Sequence, residues 1–134
     1  MATLAPPAAR PLRVLAVDDS YDVARTLAAL LRRRGYAVES RGDGPAALDA
    51  AAAFHPEVAV LDLGLPGMDG WELARRLRAL CGPGLELIVA ITGYGDGESV
   101  RRSREAGIDR HLVKPVDPEG LLELLAGVRQ VADD

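Results

Sequence analysis

The stretch VLAVDDS, residues 14–20, reads as a buried strand that runs straight into two adjacent aspartates and then a serine. Four apolar residues in a row, without alternation, suit a parallel strand covered on both faces. Asp18 and Asp19 end that run with two carboxylates that repel each other and resist desolvation. A pair of this kind at the end of a buried strand calls for a balancing charge close by. Ser20 supplies a side-chain oxygen suited to capping a following helix.

Four more short apolar runs follow: YAVES (36–40), VAVL (58–61), LIVAI (87–91) and HLV (111–113), and the first run extends back to Arg13. YAVES is the most mixed, which fits an edge strand. Helical patterns lie between the runs. Val23, Leu27, Leu30 and Leu31 fall on one face of the first, with Ser20 as N-cap and Gly35 as its stop. The second runs from Pro45 to about residue 53, proline being well tolerated at a first helical position. The third starts near Gly70 with a stripe of Leu73, Leu77 and Leu80, and with Asp69 and Glu72 supporting its start. The fourth, about 98–106, carries few large apolar residues and should pack loosely before Gly107. The fifth begins at Pro118 after Asp117 and buries Leu121, Leu124, Leu125 and Val128. Strands alternating with helices, joined by right-handed crossovers, give a doubly wound α/β sandwich.

At 134 residues the chain is long enough for one domain with a real core. Its formal net charge of −4 argues against a general nucleic-acid binder, which carries a basic surplus. Cys81 is the single cysteine, so neither an intramolecular disulfide nor a cysteine-cluster zinc site can form. It reads as a helix-end packing residue, Trp71 as partly buried, and His55 as a loop residue. RRSRE (101–105) reads as a solvated helix face, with a partner surface as the alternative. No stretch approaches the ~20 apolar residues of a membrane span. Residues 1–11, rich in alanine and proline, read as a disordered tail before a domain at 12–131, and the cytoplasm is the expected location.

In doubly wound sheets, ligands bind beyond the carboxyl ends of the strands, where strand order reverses. Asp18 and Asp19 end the first run, Asp62 follows the third, Thr92 the fourth and Lys114 the fifth. Clustered carboxylates are ligands for a hard cation such as Mg²⁺. Three carboxylates, one ammonium and one divalent cation sum to zero, so an anionic phosphoryl group meets no net repulsion. One aspartate can itself be the nucleophile, with Thr92 and Lys114 gripping phosphoryl oxygens.

VDDS, LDLGLPGMDGWEL, ITGYG and HLVKPVDPEGLLELL together resemble the receiver domain of bacterial two-component response regulators, over about residues 12–128. Each motif alone is weak; the ordered set at successive strand ends is specific. The resemblance implies a flavodoxin-like five-stranded sheet in order 2-1-3-4-5. It implies Asp62 as phosphoacceptor and Mg²⁺ held by Asp19 directly, Asp18 mostly through water, Asp62, and the Gly64 carbonyl. Lys114 and Thr92 would bind the phosphoryl group, Thr92 would also act as a switch, and Pro115 would follow a cis peptide bond. The phosphodonor would be a sensor histidine kinase or a histidine phosphotransfer domain. Output would pass to a protein partner through the helix 4, strand 5 and helix 5 face, with no direct nucleic-acid or membrane contact. The chain departs from the pattern at His111, where the family carries Tyr or Phe: His111 is either the switch side chain, with added pH sensitivity, or an ordinary edge residue. Gly64 and Tyr94 stand where the family tunes phosphoryl lifetime. ITGYG and the final motif look more like receivers attached to hybrid kinases than like DNA-binding regulators, and Val116 replaces the phenylalanine usual in the latter. Three other readings are weaker: a hydrolase with a nucleophilic Asp, which would need an acid where Gly64 stands; a nucleotide- or flavin-binding module, which would need a glycine-rich loop after the first strand; and a degenerate receiver that works only by binding, against which the complete set of site residues argues.

Overall fold

The computed structural model describes residues 10–93 and 97–133; Tyr94 and residues 1–9 of the tail lie outside them. Five parallel strands, β1 (Arg13–Val17), β2 (Ala37–Arg41), β3 (Val58–Asp62), β4 (Leu87–Thr92) and β5 (Arg110–Val113), form one sheet in the order β2-β1-β3-β4-β5. Between and after them come α1 (Tyr21–Arg33), α2 (Gly44–Phe54), α3 (Gly70–Cys81), α4 (Gly97–Ala106) and α5 (Pro118–Asp133). This is the doubly wound, flavodoxin-like sandwich that the sequence implies, with β2 at one edge and β5 at the other.

Alternation along each strand sends neighbouring side chains to opposite faces. Leu15, Val17, Ala59 and Leu61 pack with Ala47 and Ala51 of α2 and with Leu73, Ala74 and Leu77 of α3. Val14, Val58, Val60, Val89 and Ile91 pack with Ala28 and Leu31 of α1 and with Leu121 and Leu125 of α5. Covering both faces is what makes the strands continuously apolar.

Each of the first three helices opens on a side-chain cap. Ser20 Oγ accepts from the Val23 N–H at 3.4 Å, Asp43 Oδ1 from Ala46 at 2.8 Å and Asp69 Oδ1 from Glu72 at 2.9 Å. Past α1, Gly35 takes a left-handed φ of +96°, conformational space that a Cβ disfavours.

Two helical stripes differ from their sequence reading. In α1 the buried residues are Ala24, Ala28 and Leu31, while Val23 is 49% exposed. The two alanines let the helix lie close to the sheet, which turns the valine outward. In α3, Leu73 and Leu77 are buried beside Ala74, but Leu80, in the last turn before the Gly82–Gly84 3-10 turn, is 50% exposed. In α5, Leu121, Leu122 and Leu125 are buried, and Leu124 and Val128 only half so. Cys81 ends α3 half-buried, and His55 caps α2 with a left-handed φ of 53°. The RRSRE stretch is solvated at Arg101, Arg102, Arg104 and Glu105 but not at Ser103, which is 1% exposed.

Candidate functional site

Strand order reverses between β1 and β3. Backbone bonds hold the residues beyond that edge in register: Asp18 N–H donates to Arg41 O at 3.1 Å, Leu63 to Ile91 O at 3.0 Å and Lys114 to Thr92 O at 2.9 Å. The carboxyl ends of β1, β3, β4 and β5 are thus brought to one rim.

Asp62, the last residue of β3, is 4% exposed. Its Oδ1 accepts the Gly64 N–H at 2.8 Å and its Oδ2 accepts from Lys114 Nζ at 3.2 Å. Asp18 is also buried, and its Oδ1 accepts the Ser20 N–H at 2.8 Å. Burial pushes the Asp18 carboxyl up, and the charges of Asp62 and Asp19 add to that; the Ser20 N–H and Lys114 oppose it. Asp19 is exposed at the mouth.

Carboxylate oxygens of Asp18, Asp19 and Asp62 lie within 4.8 Å of one another, an acidic cluster that can hold a metal ion. The donor set suits a hard divalent cation: the oxygens are anionic and crowded, and one of the buried carboxylates is already hard to ionise. Gly64 is exposed beside the cluster, and a Cβ there would sit 3.5 Å from Asp62 Oδ1, an ordinary contact. Thr92 is buried at the end of β4, paired in register with Val113. The Lys114–Pro115 peptide bond is cis. An apolar groove of about 740 Å³, lined by Val23, Leu27, Leu30 and Val116, runs along α1 and opens onto Asp62 and Lys114.

His111 is half-buried on β5, with Nε2 2.6 Å from Ser103 Oγ on α4. Burial lowers the affinity of its ring for a proton. Two residues here escape a sequence reading. Ser103 looks like part of a charged helix face; the one signal for it is its spacing from buried Ala106, which places two small residues on one stripe. Glu57, before β3, is buried and receives both guanidinium nitrogens of Arg10 at 3.0 Å and the Arg13 N–H at 3.0 Å.

A doubly wound sheet with a buried carboxylate, two acidic neighbours and a lysine at its switch point defines a class of aspartate-centred α/β domains. Residues 14–126 match the response regulator receiver domain model, and the chain belongs to that family. It is 39% identical over 117 residues, 87% of its length, to the DNA-binding response regulator MtrA of Mycobacterium tuberculosis. Only 49% of that protein is covered, so the chain spans about half the length of the MtrA proteins it matches. Sporulation initiation phosphotransferase F of Bacillus subtilis is 31% identical over 105 residues, 78% of this chain and 83% of that protein. Among solved structures, the chemotaxis protein CheY4 of Vibrio cholerae superposes with a TM-score of 0.82 at 31% identity, covering 89% of this chain and 99% of that one. MtrA is a DNA-binding response regulator. Receiver domains are signalling domains of two-component systems, and as a family they interact with kinases and phosphotransfer proteins. Among the described residues no helix is long and apolar enough to cross a membrane.

Proposed function

We propose that the protein is a phosphorylation-dependent switch whose phosphoacceptor is Asp62. One observation carries this reading: a buried strand-end carboxylate faces Lys114 at 3.2 Å, with two further carboxylates within 4.8 Å. Neither a cap nor a core contact requires that convergence.

The donor is a phosphohistidine on a sensor kinase or phosphotransfer domain, and the apolar groove beside α1 gives a helical donor a surface leading to Asp62. A carboxylate oxygen of Asp62 bonds to phosphorus while the phosphorus–nitrogen bond of the donor breaks. Buried Asp62 is the better nucleophile for shedding its water in advance, and the Gly64 N–H fixes its orientation. Lys114 exchanges its bond to Oδ2 for one to a phosphoryl oxygen. Mg²⁺, held by Asp18, Asp19, Asp62 and the Gly64 carbonyl, supplies charge neutralisation when bound. Thr92 and His111 then read the new state, biasing a two-state equilibrium of the α4, β5 and α5 face toward a protein partner. The domain at residues 12–131 acts in the cytoplasm, contacts neither nucleic acid nor membrane directly, and slowly removes its own phosphoryl group.

Intact mass after incubation with Mg²⁺ and a small phosphodonor, then with a phosphohistidine donor, tests this. A phosphoryl adduct that requires Mg²⁺ and is absent in Asp62→Asn is the expected result. No adduct from either donor, on folded Mg²⁺-binding protein, overturns it in favour of a binding-only receiver.

A further inference from the structure

Three residues with no part in the phosphoryl chemistry form a hydrogen-bonded chain across three elements. Trp71 Nε1 of α3 donates to Ser103 Oγ of α4 at 2.9 Å, and that oxygen lies 2.6 Å from His111 Nε2 of β5. Ser103 is 1% exposed, so water does not replace either partner. Arg102 stacks on the Trp71 ring at 3.9 Å from its centroid, clamping the donor end of the chain.

An indole N–H can only donate, so it takes one lone pair of Ser103 Oγ. The hydroxyl keeps a second lone pair and one proton, so its contact with His111 Nε2 can run either way with the tautomer. In a dry site the hydroxyl proton needs an acceptor, and an unprotonated Nε2 at 2.6 Å supplies one, with the ring proton then on Nδ1. We infer that Ser103 and Trp71 are positioning residues for His111, which hold its ring inward as the neutral Nδ1–H tautomer and release it when the ring is protonated. A protonated ring offers two donors and no acceptor, so the Ser103 hydroxyl proton would lose its His111 acceptor in a dry site.

The surrounding charges do not reverse this. β4, which pairs with β5 through Ala90, brings no charged side chain. α4 carries exposed Arg101, Arg102, Arg104 and Glu105 on this stretch, and β5 adds exposed Arg110. The carboxylates of Asp69 on the cap of α3 and Glu119 on α5 face Arg102 at 3.9 Å and Arg34 at 3.6 Å instead. Burial acts in the same direction and holds the ring below its ordinary 6.5. The inward arrangement therefore keeps its full strength above pH 6.5 and loses it as pH falls through the lowered folded value.

The link from this latch to signalling rests on the phosphoacceptor reading; the latch itself does not. Trp71 is the single tryptophan, so its fluorescence reports the latch directly in the full chain, without Mg²⁺ or phosphodonor. A titration from about pH 8 to about pH 5 spans histidine protonation. The expected result is a single-proton step with its midpoint below 6.5, retained in His55→Asn and lost in His111→Phe and Ser103→Ala. Nitrogen NMR of the unsubstituted chain reads the tautomer with no risk of misfolding, and Nδ1–H is expected. An Nε2–H tautomer, a flat fluorescence profile, or a step that survives in His111→Phe overturns the latch. Loss of the latch with an intact Asp62 adduct removes this inference alone; the converse pattern removes the phosphoacceptor reading and leaves the latch.

Discussion

At the scale of single residues, two of the buried carboxylates, Asp62 and Glu57, sit at opposite ends of β3 and are stabilised differently. Asp62 faces one half-exposed lysine and two other acids, so the protein balances its charge only in part. Glu57 is satisfied by its own chain. Burial pushes it up, but the Arg10 guanidinium and the Arg13 N–H, with both arginine charges, more than offset that and hold it below its ordinary 4.5. A carboxyl lowered by folding adds stability above its unfolded value and loses it as pH falls through the folded value. Arg10 is itself half-exposed, so the pair is screened. Glu57→Gln should therefore cost about 1–2 kcal/mol at neutral pH. Urea unfolding at a series of pH values should show that difference shrinking below pH 4.5. Asp18, Asp19, Asp62 and Lys114 are legible in the sequence because each is a charge breaking an apolar run. Glu57 is not, because nothing local announces that a distant arginine will cover it.

At the scale of elements, α3 owes its position to Gly70. A Cβ there would stand 2.7 Å from Leu63 Cα and 2.9 Å from Asp62 O, both backbone atoms that cannot yield cheaply. Gly70→Ala should cost about 1–3 kcal/mol, as overpacking does, and should disturb the loop that carries Gly64. Gly44 is the contrast. The atoms nearest its Cβ would all belong to the flexible side chain of Met68, with the sulfur at 2.7 Å and the Cβ at 3.0 Å, so Gly44→Ala in a helix should cost less. Paired thermal melts of the two variants check this ordering. Helical periodicity located α1 and α3 correctly but misjudged their faces at Val23 and Leu80. A spacing of three and four residues leaves rotation open by one position, and the small side chains of Ala24, Ala28 and Ala74 decide it by allowing close approach to the sheet.

At the scale of the whole molecule, the acidic rim would couple the binding of a cation to folding. Three carboxylates are assembled only when β1 and β3 pair, so a cation that binds them favours the native state. Mg²⁺ at a hundredfold excess over its Kd should raise stability by about 2.7 kcal/mol. A chelator should abolish the gain, and so should Asp19→Ala, an exposed position whose loss spares the core. Calorimetry with and without Mg²⁺ measures both. By itself the sequence determined the alternation of strands and helices, the charged residues at the strand ends and, through the ordered motifs, the family. Those signals are local: a run of apolar residues, a cap, a charge where a run stops. Tertiary structure alone decided that Ser103 is dry among exposed arginines, that it joins Trp71 to His111, and that Arg10 reaches Glu57. Each depends on which surfaces meet when helices settle on the sheet, and a small polar residue or a long arginine is compatible in sequence with either side of that boundary.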